Sequence, residues 1–444
     1  MKLALIGAGG IRTPLFIESL LGRPKCAGIG ELLLFDNDPS RLPLMRRMGR
    51  RIVKKAGQDL KINSTTNLSK AVDGASLVIT TIRVGMEKGR IADERMAIHL
   101  GLLAQETTGL CGFSFACRSI PALLEIAEAV DRRAPGCWIV NFTNPAGLVS
   151  QAMLDAGITR AVGVCDSASA LARHIAGEWG IGLGEIDLGV VGLNHLSVVT
   201  EARVNGKSVM PKVLGDAEFL KRYYGLFKTE RIQAMGAVPN EYLYYFWRTS
   251  HALQVQARKK LTRGQEVLKF TNRFLKKAGA AGNVDEVLDL HEEMIASRES
   301  SYMSGAWGSK GKRPTDALSS EGYAGVALNF FGSLNKQTKQ RMVLCLRNGL
   351  GALGLPTSDV LESSCEVGMG SVEAVAVKPP PQGEIELIRR IKVFESLASR
   401  AILTRDKRTA LSALSVHPLV GPDKAAKALY SILRTHRDYV GQWK

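Results

Sequence analysis

The sequence predicts an α/β chain whose N-terminal part is a doubly wound parallel sheet, and three observations predict it. The apolar strand Lys2-Leu3-Ala4-Leu5-Ile6 runs straight into the glycine turn Gly7-Ala8-Gly9-Gly10. A second apolar strand, Glu31 to Phe35, ends in the acid Asp36. Two more apolar runs, Ala75 to Ile82 and Cys137 to Asn141, follow at the spacing of strand-helix-strand units and supply a third and a fourth strand. Together they predict a Rossmann-type domain over residues 1–195 and a C-terminal α/β domain over 196–444 that completes a crevice, the architecture of lactate and malate dehydrogenases.

Composition narrows the function classes. The chain has 444 residues and 45% hydrophobic content, enough for a sizeable core shared by two domains. Its net charge of +17 is spread along the chain, with no zinc-finger spacing and no basic-aromatic run. That pattern argues against nucleic acid and for a solvated surface biased toward anionic substrates. The seven cysteines are odd in number and lack CxxC spacing, which favours a reduced, cytoplasmic protein. Met1 opens directly on a strand rather than a charged leader, and no apolar run reaches membrane-spanning length, so a soluble protein without a membrane partner is expected.

Each N-terminal element has a reading. After Gly7, Gly9 and Gly10, Thr13 is expected to cap the following helix and Pro14 to occupy its first turn, leaving free amides for a pyrophosphate. Asp36 suits an adenosine ribose, which favours NAD over its phosphorylated form, although Arg12 stands where a third glycine is usual. The loop after the third strand carries Arg83, and the helix behind it Arg90, Asp93 and Glu94, so Arg83 and Arg90 are candidates for the crevice. Gln105 to Gly109 reads as a polar turn before a helix from Ser119 to Val130. Asn144, held extended by Pro145, is expected to project from the end of the fourth strand.

The stretch from Gly163 to His195 carries the most chemistry. One apolar strand ends in Cys165 and Asp166, another in Asn194 and His195. If those strands are neighbours, Cys165 and His195 meet as a soft and a borderline metal ligand, with coordination positions left open for substrate oxygens. Taken alone, the pair reads first as a buried thiol and a satisfied strand-end histidine.

At this point the chain resembles glycoside hydrolase family 4, the NAD- and divalent-metal-dependent glycosidases, most of which act on sugar 6-phosphates. The resemblance rests on the glycine turn with Thr13-Pro14, Arg83-Val84-Gly85, Gln105-Glu106-Thr107-Thr108-Gly109, Arg118-Ser119-Ile120-Pro121, Asn141-Phe142-Thr143-Asn144-Pro145, Gly163-Val164-Cys165-Asp166 and Gly192-Leu193-Asn194-His195, in that order. It continues through Pro239-Asn240-Glu241-Tyr242, Arg347-Asn348-Gly349 and His417-Pro418-Leu419-Val420-Gly421, and is nearest the 6-phospho-beta-glucosidase branch.

The resemblance implies a mechanism without direct displacement by two carboxylates. NAD oxidises the sugar C3 hydroxyl, a base removes the acidified C2 proton, the aglycone is eliminated, water adds, and hydride returns to C3. Carried over, Cys165 and His195 bind the divalent ion, manganese by family preference, Tyr242 is the C2 base, and Asn144, Arg83 and Arg90 contact substrate. Asp166 stands where the beta branch commonly has asparagine and matches a general acid proposed for alpha-acting members. The beta branch usually carries Arg-Gly-Gly near Ser319 to Tyr323, where Glu321 stands here, and a proline within Gly109 to Gly112. The resemblance also implies a homo-oligomer. Alternatives remain: an alpha-linked, unphosphorylated or acidic sugar; an NAD-dependent hydroxy-acid dehydrogenase; and a non-catalytic NAD-sensing protein.

Further on, Asn205-Gly206 predicts a two-residue hairpin within Glu201 to Val209. Helices are expected over Arg258–Lys277 and Val284–Arg298 with a loop between them, a surface loop over Ser300–Pro314, and an extended connector at Lys378–Pro381.

Overall fold

The computed structural model describes residues 1–23, 28–303, 305–307, 323–334 and 336–444. Glu321, Cys26 and most of the Ser300–Pro314 segment therefore lie outside the described residues.

Six parallel strands make the N-terminal half of one sheet: β1 (Lys2–Ile6), β2 (Glu31–Phe35), β3 (Lys61–Thr65), β4 (Leu77–Thr80), β5 (Trp138–Asn141) and β6 (Ala161–Gly163). Their spatial order is β3-β2-β1-β4-β5-β6, the order of a dinucleotide fold, with the switch point between β1 and β4. β3 was absent from the sequence reading. Its Lys-Ile-Asn-Ser-Thr has a single apolar residue inside, enough for an edge strand that is largely open to solvent.

The apolar runs are continuous because both faces of the sheet are covered. Leu3, Leu5, Leu32 and Leu34 point into one core, while Ala4, Ile6, Leu33 and Phe35 point into the other. A buried leucine of this kind contributes about 2 kcal/mol relative to an exposed one.

The same sheet continues with strands of the C-terminal half, β7 (Ile186–Leu193), β8 (Leu196–Val204), β9 (Lys207–Ser208), β10 (Val238–Pro239), β11 (Gln340–Arg347), β12 (Val360–Gly368) and β13 (Ser371–Ala374). Beyond β6 the order is β11-β12-β7-β8-β10, all joined antiparallel. The condition under which the Cys165 and His195 strands were to meet, that they be neighbours, is not met: β11 and β12 lie between β6 and β7. The turn Asn205-Gly206 has positive φ at both residues, as the hairpin reading requires.

Helix boundaries differ in three places. The helix expected from Ser119 begins at Gly109 and runs to Arg133. That 25-residue helix is long and apolar enough to cross a membrane, contrary to the sequence reading, but 78% of its apolar window is buried as a core helix of the protein. Thr13 is the first helical residue rather than the cap; its hydroxyl donates to the Ala8 carbonyl at 2.9 Å. The expected Arg258–Lys277 helix is Arg263–Ala280, capped by the Thr262 side chain, so only residues 281–283 separate it from Val284–Ser300.

Candidate active site

A cleft of about 1270 Å³ opens at the carboxyl ends of the parallel strands. The glycine turn and Asp36 line one part of it, Arg83 and Arg90 another, and Asn144, Asp166 and Tyr242 a third. Nine of the eleven residues singled out in the sequence therefore reach one cleft. Cys165 and His195 do not line it; they are buried, at 4% and 6% exposure, behind Ser167 and Tyr242, which do.

The dinucleotide end fits its expected ligand. At Gly7 φ is +92°, and a Cβ there would stand 2.5 Å from the Thr81 carbonyl oxygen, so only glycine keeps β1 and β4 this close. Asp36 accepts from the Gly9 amide at 2.8 Å and the Asp38 amide at 3.0 Å, which fixes its carboxylate beside the turn. His291 from the C-terminal half meets the Ile11 carbonyl at 2.6 Å and braces the turn from outside.

The cationic end is larger than the sequence revealed. Arg83 pairs with Glu106; Arg90 pairs with Glu106 at 2.8 Å and with Glu94 at 2.7 Å. Two further arginines join them. Arg263 bonds the Ser301 hydroxyl and the Arg298 carbonyl, each at 2.7 Å, and both Arg263 and Arg298 line the cleft. Burial first, and then the neighbouring guanidinium groups, push Arg298 down to about 9 and Arg83 down to about 10. Burial and crowding both disfavour the charged guanidinium, a cost that an anion such as a phosphate would offset. Arg263 and Arg298 lie on separate helices, so nothing in their spacing announced them.

Of the pair read from sequence as metal ligands, His195 has a definite geometry. β7 and β8 are joined by the two-residue turn Asn194-His195, with His195 at φ +64°, a region that costs energy for a residue with a side chain. Asn194 donates to Glu362 at 3.0 Å, and Thr107 meets His195 Nδ1 at 2.8 Å. The other nitrogen, Nε2, is buried without a hydrogen-bond partner. Burial holds the imidazole neutral, down to about 3. A neutral ring with an idle buried lone pair suits a metal ligand.

Cys165 Sγ lies 3.0 Å from the Ser167 hydroxyl; burial pushes its thiol up, and the Glu362 and Asp166 carboxylates add to that. A cation would offset the same cost. Among the described residues no third histidine, cysteine or carboxylate completes a cluster. Glu362, which the sequence reading missed, accepts from Asn194 and from Ser197 at 2.6 Å, and burial pushes it up to about 7.

Tyr242 stacks on His195 with ring centroids 3.7 Å apart, and its oxygen accepts from the Tyr302 hydroxyl at 2.9 Å. The aromatic run Tyr242 to Phe246 thus begins as site wall and ends as packing, since Tyr244 is buried.

The family 4 glycosyl hydrolase model matches residues 2–180, and the family 4 glycosyl hydrolase C-terminal domain matches residues 190–420. The chain belongs to this family. It is similar, at 28% identity over all of this chain and 98% of the relative, to a probable 6-phospho-beta-glucosidase of Bacillus subtilis. The structure of the 6-phospho-beta glucosidase from Thermotoga maritima with manganese, NAD+ and glucose-6-phosphate matches with TM-score 0.83, 28% identity and 99% of each chain covered. Lactate dehydrogenase from Eimeria maxima shares the fold alone, with TM-score 0.51 and 15% identity over 90% of this chain and 95% of that one.

Proposed function

We propose that this chain is an NAD- and manganese-dependent glycosidase that hydrolyses 6-phospho-beta-glucosides. The observation that carries this reading is one cleft lined by the glycine turn, Tyr242 and a crowded set of half-buried arginines. The Thermotoga maritima relative is a 6-phospho-beta glucosidase whose structure contains glucose-6-phosphate, and the Bacillus subtilis relative is named a probable 6-phospho-beta-glucosidase. When bound, NAD supplies reversible hydride transfer at the sugar and the divalent cation supplies Lewis-acid stabilisation of charge on sugar oxygens. Cys165 and His195 would hold the cation; Gly7, Gly9, Gly10 and Asp36 would hold NAD.

The remaining work falls to this chain's own groups. Arg83 and Arg298 grip the phosphate, with Arg90 and Arg263 adding charge and Glu106 and Glu94 fixing the guanidinium planes. Asn144 binds a sugar hydroxyl. Tyr242, as the phenolate, takes the C2 proton; the Tyr302 hydroxyl donates to that oxygen and stabilises its negative charge beforehand. Asp166, beside Cys165 on the cleft wall, assists departure or water addition at C1. A cytoplasmic setting belongs to the same reading, supported by six free, buried cysteines among the described residues, and self-association is carried over from the resemblance.

The test is nitrophenol release from an aryl 6-phospho-beta-glucoside with NAD, manganese and reductant, each omitted in turn, beside the alpha and unphosphorylated analogues. Turnover confined to the phosphorylated beta substrate, lost without NAD or manganese and yielding no net NADH, supports the reading. Cleavage of another analogue instead overturns the substrate, and stoichiometric NADH formation overturns the hydrolase in favour of a dehydrogenase.

A further inference from the structure

We infer that Thr107, aligned by Gln105, is the positioning residue that sets which nitrogen of His195 carries the proton, leaving the Nε2 lone pair for a divalent cation. The inference deepens the proposed function and rests on its reading of His195 as a metal ligand.

One hydroxyl, that of Thr107, decides the tautomer. Thr107 Oγ1 lies 2.9 Å from Gln105 Oε1 and 2.8 Å from His195 Nδ1. The Gln105 atom is an oxygen, because the backbone amide of Thr107 also donates to it at 2.7 Å. An amide oxygen can only accept, so the one hydroxyl proton of Thr107 goes to Gln105. Thr107 Oγ1 then accepts, and His195 must donate from Nδ1–H. In the neutral ring that leaves Nε2 unprotonated, and Nε2 is the atom found buried without a partner. The reverse arrangement, Thr107 donating to Nδ1, would set two acceptor oxygens 2.9 Å apart and put a proton on Nε2 with nothing to receive it.

Thr107 is itself held tightly. The helix Gly109–Arg133 passes so close that a Cβ on Gly112 would stand 2.7 Å from the Thr107 carbonyl carbon. On the other side His417 meets the Thr108 hydroxyl through Nε2 at 3.1 Å while its Nδ1 accepts from the Leu419 amide at 3.1 Å. The imidazole it serves is fixed by the β7–β8 turn and by the Tyr242 ring. A residue that merely filled space here would need neither the hydroxyl nor Gln105.

The experiment uses the full-length protein with 15N-labelled histidine, His195 being assigned from the His195→Gln spectrum, together with Mn²⁺ titration in the presence of NAD. Wild type is expected to show His195 protonated at Nδ1. Thr107→Val should lose that tautomer and bind Mn²⁺ about 10–100-fold more weakly, while Thr107→Ser restores both. Gln105→Met, which removes only the acceptor for the Thr107 hydroxyl, carries the same expectation should Thr107→Val not fold. An unchanged tautomer and unchanged Mn²⁺ affinity in folded Thr107→Val or Gln105→Met would overturn the inference. A wild type that binds no Mn²⁺, yet loses the Nδ1–H tautomer in Thr107→Val, would overturn the metal reading and uphold the role of Thr107 in setting the proton.

Discussion

The imidazole of His195 and the phenol ring of Tyr242 lie face to face, with centroids 3.7 Å apart and planes 3° from parallel. The contact joins the group assigned to the cation and the group assigned to the C2 proton, so disturbance of one ring is felt at the other. It also separates two roles of Tyr242, since the ring packs on His195 while the oxygen meets Tyr302.

Tyr242→Phe keeps the stack and removes the oxygen. It should lower kcat about 10²–10⁴-fold, the usual worth of a positioned base, with Mn²⁺ affinity and thermal midpoint close to wild type. Steady-state kinetics beside Mn²⁺ titration check this; a drop in metal affinity equal to the drop in kcat would assign Tyr242 to the metal site instead.

Arg298→Met takes one cation from the crowded cluster. The expected result is a higher KM for the phosphorylated substrate, by roughly 10–100-fold for a charged hydrogen bond of about 1.5–3 kcal/mol. NAD affinity should not move. An equal loss on an unphosphorylated analogue would remove Arg298 from phosphate recognition.

Arg118 and Asp93 form a buried pair at 2.6 Å, and Asp93 also accepts from the Ser114 hydroxyl at 2.6 Å and meets His436 at 2.7 Å. Burial alone would raise the Asp93 carboxyl, but His436 and Arg118 hold it below its ordinary value. Arg118→Met leaves that carboxylate uncompensated, and a loss of about 3–5 kcal/mol is expected in urea unfolding.

Acid stability follows from His417 and His195, both held down to about 3 by burial. Between that value and the ordinary 6.5 the unfolded chain binds a proton that the folded chain refuses. Their contribution is therefore fully present above 6.5 and is lost as pH falls toward 3, at about 1 kcal/mol per pH unit for each ring. The thermal midpoint of the wild type should fall across this window. That of His417→Gln, lower at neutral pH, should fall less steeply, because one of the buried rings that refuse the proton is gone.

Much of this was legible before the fold was known. The strands β1, β2, β4 and β5 announce themselves because two cores demand apolar residues at successive positions. The glycine turn and Asp36 are legible because close backbone approach allows few residues there. Other features depend on distant chain. No local pattern reveals that β11 and β12 separate β6 from β7, since they arrive some 180 residues later and pair antiparallel. The first turns of the helix Gly109–Arg133 read as a loop because Gly109 and Gly112 are poor helix formers, yet Gly112 is what lets that helix rest on Thr107. Arg263, Arg298 and Glu362 acquire meaning only from what the fold places around them.

The most direct test of the central claim is deuterium at C2 of the product after hydrolysis of an aryl 6-phospho-beta-glucoside in D₂O, read by NMR. A base that removes the C2 proton and later returns one exchanges it with solvent. Glucose 6-phosphate carrying deuterium at C2 is expected, formed only with NAD and manganese present, and almost none should be formed by Tyr242→Phe. Efficient hydrolysis with the C2 proton fully retained would contradict it and point to direct displacement at C1.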